Sequence, residues 1–375
     1  MTARYQLSRV SFRVFRMLPA VGSYRLARAV SLLVLVCLLG PHGPAQGQIA
    51  SDGVDQPLDF GDSSVPGIYG AVEPEVLGYE SPGSHGFWDH GPGQCCGDCP
   101  PGWRVRADGL VLNLETDDGV TFSTAFVLND VGYEEGGRVS LIRHWDCLDA
   151  WELAFVGPYE WKEFGEVNGV GLFSNLVAMG VDISEFNDAT LHRQALRSRL
   201  NSFEVNRRWF GWDVISTLVG VRYLNVDDDL VFNSTGAGGA GLLAIETNNH
   251  MAGPQIGMEL MFPLGNFMTT STIKGAAMLN GHDANILLVN AGVTEIAAGK
   301  DDLDFASVVE LGYLVSYAIT PQVKLRGGYE FWWLYNHAIA SAQITGPLTP
   351  NTGRGIRNKE NVYYHGATAG VEVIW

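Results

Sequence analysis

Two consecutive stretches near the end of the chain alternate in polarity over a length that few folds accommodate. In residues 305–317 the odd positions are Phe305, Ser307, Val309, Leu311, Tyr313, Val315 and Tyr317, and the even ones include Glu310, Gly312 and Ser316. After a Thr320-Pro321 turn, Val323, Leu325, Gly327, Tyr329, Phe331, Trp333 and Tyr335 share one face, with Lys324, Arg326, Gly328, Glu330 and Asn336 on the other. Alternation with period two marks a strand with one apolar face. An ordinary sandwich strand runs about 5–6 residues. These stretches of about a dozen instead match the roughly 9–11 residues that cross a bilayer at a tilt. Aromatics gather toward their ends, as they do in membrane-interface girdles.

Shorter runs keep the same rule. Trp103, Val105, Ala107 and Val111 alternate with Arg104, Arg106 and Asp108; Trp151, Leu153 and Phe155 flank Glu152; Phe203 and Val205 flank Glu204. Val219, Val221 and Tyr223 alternate with Gly220 and Arg222, and Ile256, Met258, Leu260 and Phe262 flank Glu259. The charges interleaved in such strands are Arg104, Arg106, Arg138, Arg222, Lys274, Lys324 and Arg326 against Asp108, Glu152, Glu204, Glu259, Glu310, Glu330 and Glu372. A buried charge costs several kcal/mol unless paired, so a sandwich core does not hold this set, whereas a polar lumen does. Arg104, Arg106, Glu204, Arg222, Glu310, Lys324, Arg326 and Glu330 are therefore the candidate lumen-lining residues. The remaining acidity, in runs such as Asp227-Asp228-Asp229 and Asp301-Asp302, is expected in long solvated loops on one rim.

The N-terminus reads as an address. Six arginines and no acid precede or flank an apolar run at residues 29–40 (AVSLLVLVCLLG), and Ala45-Gln46-Gly47 offers small residues for cleavage after Gly47. Removing residues 1–47 leaves 18 basic against 41 acidic residues, a net charge of −23. That acidity argues against a nucleic-acid binder, and 46 glycines favour a turn-rich β chain over a helical one. No later stretch approaches 18 consecutive apolar residues. Residues 48–102 hold seven prolines without sustained period and read as a Gly/Pro-rich coil segment. Residues 103–375 are then expected to form an all-β, transmembrane, antiparallel up-and-down barrel of about 12 strands, within 10–14. The one helix-like stretch, Asp188 to Leu200, is read as a short loop element.

The last eight residues, Thr368-Ala369-Gly370-Val371-Glu372-Val373-Ile374-Trp375, resemble the C-terminal signal of bacterial outer-membrane proteins. The matching positions are Thr368, Gly370, Val373 and Trp375. The resemblance implies recognition by the barrel-assembly machinery and a home in outer-membrane lipid. Tyr363, Ala367, Ala369, Val371, Val373 and Trp375 are expected to face that lipid. Over roughly residues 103–375 the chain also resembles a β-barrel porin family of planctomycetes. The likeness rests on Gly102-Trp103-Arg104-Val105-Arg106-Ala107-Asp108, Ser202-Phe203-Glu204-Val205-Asn206-Arg207-Arg208 and Val219-Gly220-Val221-Arg222-Tyr223-Leu224. That resemblance implies passive diffusion of small hydrophilic solutes and brings no catalytic residues.

Other chemistry reads more simply as structure. Cys95, Cys96, Cys99 and Cys147 remain after export into an oxidising compartment, where a disulfide is the default. Four cysteines allow three pairings, and one of Cys95, Cys96 or Cys99 bonded to Cys147 is the arrangement expected. Zinc with His85 and His90 fits no standard spacing. Gly236-Ala237-Gly238-Gly239-Ala240-Gly241 spells a dinucleotide-loop pattern, with Glu259 downstream, but no βαβ unit surrounds it. It reads as a glycine-rich loop. His144, His192, His250, His282, His337 and His365 sit in no recognisable dyad. No enzyme, cofactor or metal is expected, a rim site assembled from distant strands being invisible at this level; self-association is left open. The rival functions are a non-conducting structural or adhesive surface barrel and a soluble secreted β-sandwich binding module.

Overall fold

The computed structural model describes residues 102–375 except 117–119, 129, 130, 147 and 213. The leader, the coil segment up to residue 101, His85, His90 and the cysteines Cys95, Cys96, Cys99 and Cys147 lie outside the described residues. Ten strands form: β1 (Trp103–Thr116), β2 (Tyr133–His144), β3 (Asp149–Leu172), β4 (Ala189–Trp212), β5 (Ile215–Thr235), β6 (Ala240–Leu264), β7 (Phe267–Asn290), β8 (Val293–Ala318), β9 (Val323–His337) and β10 (Glu360–Ile374). Each pairs antiparallel with its sequence neighbours, and β1 joins β10 to close the ring. Closure leaves no free edge where lipid offers the backbone no hydrogen-bond partner.

The alternation places two chemistries on two walls. Trp103 and Val111 on β1, Leu311, Tyr313 and Val315 on β8, and Leu325, Tyr329 and Trp333 on β9 are exposed outward. Glu310, Glu330 and Glu372 are buried inward. On β10, Val362, Tyr364, Thr368 and Glu372 are buried, and the odd positions from Tyr363 to Trp375 face out. The outer apolar belt is edged by Trp103, Trp151, Phe267, Tyr317 and Trp375 at one end and by Tyr223, Trp333 and Tyr335 at the other. The first end carries the short connections at residues 145–148, 213–214, 265–266 and 319–322; the other carries the three long ones, 117–132, 173–188 and 338–359.

The strand count is ten rather than about 12 because the chain is spent on length. Strands β3 to β8 run 21 to 26 residues, about twice what a bilayer needs, and their far halves form a collar beyond the belt. Two sequence expectations are corrected here. Asp227-Asp228-Asp229 and Asp301-Asp302 are not in loops but within β5 and β8. Above the belt the outer wall meets water, and there Arg199 pairs with Asp227 and Asp229 across the sheet. Likewise Asp188 to Leu200 is not a loop element, since β4 starts at Ala189. In the collar both walls mix polar and apolar side chains, so the stretch loses the clean alternation that marked the membrane strands.

The collar is a sheet with an open seam. Pairing of β2 with β3 stops at Val156, and pairing of β8 with β9 begins only at Ser307. The long loops fill the gap and cover the sheet's inner face. Thr124 N–H donates to Phe173 O (3.0 Å) and Asn175 N–H to Phe122 O (2.7 Å), tying the first two loops together. Met179 and Leu348 tie the second to the third, with Met179 N–H donating to Leu348 O at 2.8 Å. In the second loop the Ser184 N–H donates to Asp182 Oδ1 (2.9 Å), which holds the Asp182 carboxyl below the usual carboxylate range. Residues 236–239 of the glycine run make the turn from β5 into β6, and Gly238 N–H donates to Glu185 Oε2 (3.0 Å). At the neighbouring hairpin Ala291 and Gly292 both take positive φ, 49° and 81°, as a two-residue turn matched to strand twist requires.

A closed ring of this kind resists SDS until heated. Full-length protein extracted in detergent should run faster unboiled than boiled on a gel; identical mobility would contradict the closed barrel.

Candidate functional site

The interior of the membrane zone is built from the inward positions of all ten strands, and charge pairing organises it. Eight cations and seven carboxylates form two separate knots among the described residues, with no side chain more than 16 % exposed. The first is a neutral set of three and three. Glu310 meets Arg138 (2.9 Å), Arg222 (2.9 Å) and Lys274 (3.5 Å); Glu330 meets Arg138 (2.7 Å); Glu204 meets Lys274 (3.3 Å) and Arg222 (3.7 Å). Gln255 donates to Glu204 (2.9 Å), and Arg222 Nε donates to Ser202 (3.0 Å).

The second knot lies nearer the short-turn rim. Glu372 on β10 gathers Arg106 (2.8 Å), Lys324 (3.7 Å), Arg326 (3.8 Å) and Arg104 (4.0 Å). Arg208 bridges Glu152 and Glu259, and Arg326 also reaches Asp108 (3.5 Å). All eight candidate lumen residues thus point inward, Glu204, Arg222, Glu310 and Glu330 into the first knot and Arg104, Arg106, Lys324 and Arg326 into the second. Of the C-terminal set, Thr368 is buried inward, and Val373 and Trp375 face out. Gly370 also lies on the inward side, where a Cβ would collide with the Ala107 carbonyl and Asp108 on β1. Arg208 was missed in the sequence, although it follows Glu204 and Asn206 at alternate positions; the doublet with Arg207 and the adjoining Trp209 hid its register.

An apolar layer seals the lumen beyond the first knot. Trp332 covers it, with the Arg222 and Arg138 guanidinium carbons 4.7 and 5.6 Å from its ring centroid. Tyr159 stacks on Trp161 at 5.2 Å, and Trp161 packs on Tyr364 at 5.1 Å. Leu110, Leu112, Leu224, Val226, Met278 and Leu334 complete the layer. Its sequence signal is a run that stays apolar on both faces, as at Leu110-Val111-Leu112 and Trp332-Trp333-Leu334, the pattern of a strand buried on both sides. Farther out, Phe122, Leu176 and Leu348 from the three loops pack on Phe232, Ile245 and Leu288 of the collar. Asn249 fixes the third loop from within, its side chain bonding both the O and the N–H of Ala338 (2.7 and 2.9 Å).

Little space remains. The voids inside the second knot and between the two knots measure about 40 and 30 Å³, room for a few waters each at about 10–15 Å³ per water centre. A further void of about 50 Å³ touches Asp228, His337 and Tyr364. The larger cavity, about 320 Å³, lies between the loops and is lined by Phe122, Leu176, Val177, Ile344, Pro347 and Leu348. The inward histidines His144, His192, His282 and His337 are buried. Outside, His250 bonds Tyr223 (2.9 Å), and His365 joins Tyr329 (2.6 Å) to Glu115 (3.0 Å). No group of three or more metal-ligating side chains forms among the described residues.

Removing one member of a buried knot strands its partners. Glu310→Gln leaves Arg138, Arg222 and Lys274 short of a counter-charge and should destabilise the barrel by about 3–5 kcal/mol. The readout is a lower temperature for conversion of the fast gel band to the slow one. Adding Arg222→Gln should recover part of the loss, because it removes one of the uncompensated cations.

No protein-family model matches the chain, and no curated protein matches it. Solved structures similar to it are bacterial outer-membrane proteins. Outer membrane protease OmpT from Escherichia coli is 13 % identical, over 74 % of this chain and 98 % of that one, with a TM-score of 0.35. Neisserial surface protein A is 13 % identical, over 72 % and 96 %, with a TM-score of 0.20. The Ralstonia pickettii toluene transporter TbuX is 9 % identical, over 73 % and 89 %, with a TM-score of 0.29. A protease, a surface protein and a transporter share no activity, and none is carried over to this chain.

Proposed function

We propose that the protein is a closed, non-conducting barrel of the outer membrane that anchors a folded β-collar and its loops outside the bilayer. The observation that carries this reading is the lumen itself, filled across the membrane zone by two paired-charge knots under an aromatic layer. The outer belt supports placement in a bilayer, and the C-terminal positions Thr368, Gly370, Val373 and Trp375 suit delivery by the barrel-assembly machinery. The loop end exposes Val127, Phe173, Val177 and Met179, apolar surface of the kind that meets partners. No catalytic role is assigned.

Passive diffusion of small hydrophilic solutes, implied by the resemblance to the planctomycete porins, would need a continuous water path. The voids of about 30 and 40 Å³ in the charged layer do not supply one without displacing Trp332 and the loops. Purified protein in planar bilayers should therefore give no discrete conductance steps. Deleting residues 48–102 should leave it silent, because the barrel's own side chains do the sealing. Reproducible steps from the intact chain would overturn the closed reading and establish the pore.

A further inference from the structure

The outer wall at the short-turn rim carries an arginine whose surroundings differ from those of every lumen cation. Arg143 is on the outward face of β2, half-buried, and its register partners are Trp103 on β1 and Trp151 on β3. Its guanidinium carbon lies 4.6 Å from the Trp103 ring centroid and 5.8 Å from that of Trp145. All three indoles are exposed outward, at 36–59 %. Among the described residues no carboxylate comes within ion-pair distance of Arg143. The two acids of the adjoining turn are committed elsewhere: Asp146 Oδ1 accepts the N–H groups of Leu148 (2.8 Å) and Asp149 (2.7 Å), and Asp149 holds Arg207 through two oxygens. Arg207, over Trp209 on the same rim, is thus a neutralised counterpart a short way along the girdle.

We infer that Arg143, with Trp103, Trp145 and Trp151, is a binding site for the phosphate of a phospholipid headgroup in the leaflet at the short-turn rim. The indoles sit at the edge of the apolar belt, where amphipathic rings meet headgroups, and the faces of Trp103 and Trp145 hold the guanidinium in place. A planar fork fixed in this way keeps its N–H groups for a bidentate contact to phosphate oxygens. In barrels of this class the short turns face the periplasm, so the lipid reaching this rim is a glycerophospholipid whose acyl chains lie along the apolar wall. The inference rests on the membrane reading above and extends it to a specific lipid contact.

The test is lipid retention by the full-length protein in detergent, measured by native mass spectrometry with dioleoyl phosphatidylglycerol and, separately, dioleoylglycerol, which has the same tails without phosphate. Wild type should retain the phospholipid in preference to the diacylglycerol. Arg143→Gln should lower phospholipid retention about fivefold, the share of one arginine at a lipid surface, with Arg143→Lys intermediate, because it keeps the charge but not the planar fork, and Arg207→Gln unchanged. Equal retention of the two lipids by wild type, undiminished retention by a heat-modifiable Arg143→Gln barrel, or an equal loss in Arg207→Gln would overturn the site. Because the wild-type comparison needs no variant, a variant that fails to fold does not leave the question open. Release of the protein without detergent, or no gel shift on heating, would instead strike the membrane reading beneath it.

Discussion

A carboxylate inside this ten-strand ring meets little water, and the rest of the interior follows from that. Each of Glu204, Glu310 and Glu372 touches two or more cations, and Arg106, Arg138, Arg208, Arg222, Lys274 and Arg326 are each held between acids from different strands. The pairing is a constraint more than a source of stability, since a well-packed apolar core of the same volume often does as well. Once one charge enters, its counterpart must follow at a compatible register. That is why acids on β4, β8 and β9 face bases on β2, β5 and β7. The knots in turn give Trp332 a cationic floor to lie on, and Trp332 gives the apolar layer its base.

Much of the barrel was legible because the lipid-facing wall imposes strict alternation. Phe305 to Tyr317 and Val323 to Tyr335 read as strands with one greasy face, and Glu310, Glu330, Lys324 and Arg326 fell on the other. What escaped the sequence lies where that constraint ends. Beyond Tyr223 the outer wall is wet and the inner wall is covered by loops, so Leu191 to Leu200 and Asp227 to Asp229 carry no membrane signature although they are strand. The apolar seal escaped for the opposite reason. Leu110, Leu112, Trp332 and Leu334 are inward residues in strands whose outward neighbours are also apolar, and alternation alone cannot separate a lumen plug from a lipid-facing run. The strand number sits at the lower end of the expected 10–14 because long collar strands consume residues that would otherwise make further crossings.

The collar and the membrane zone solve the same problem by different means. Within the belt, backbone edges are removed by ring closure. Above it, β3 and β8 part company with β2 and β9, and loop backbone takes over, with Gln194 and Asn249 supplying side-chain bonds where strand partners are missing. The molecule's outer end is thus held by specific polar contacts and by Phe122, Phe186, Phe232 and Leu348, while its membrane end is held by the ring.

Glu372 belongs to the last strand, yet the cations around it come from β1 and β9. Until β10 settles against β1, the second knot has Arg104, Arg106, Arg208, Lys324 and Arg326 facing only Asp108, Glu152 and Glu259. Five positive groups crowded against three negative ones repel the very strands that must converge. The arrival of Glu372 relieves that imbalance in the step that joins the first and final strands. Sealing the cylinder and bringing its floor to within one charge of balance are therefore one event, and the carboxylate three residues from the chain's final tryptophan acts as the clasp.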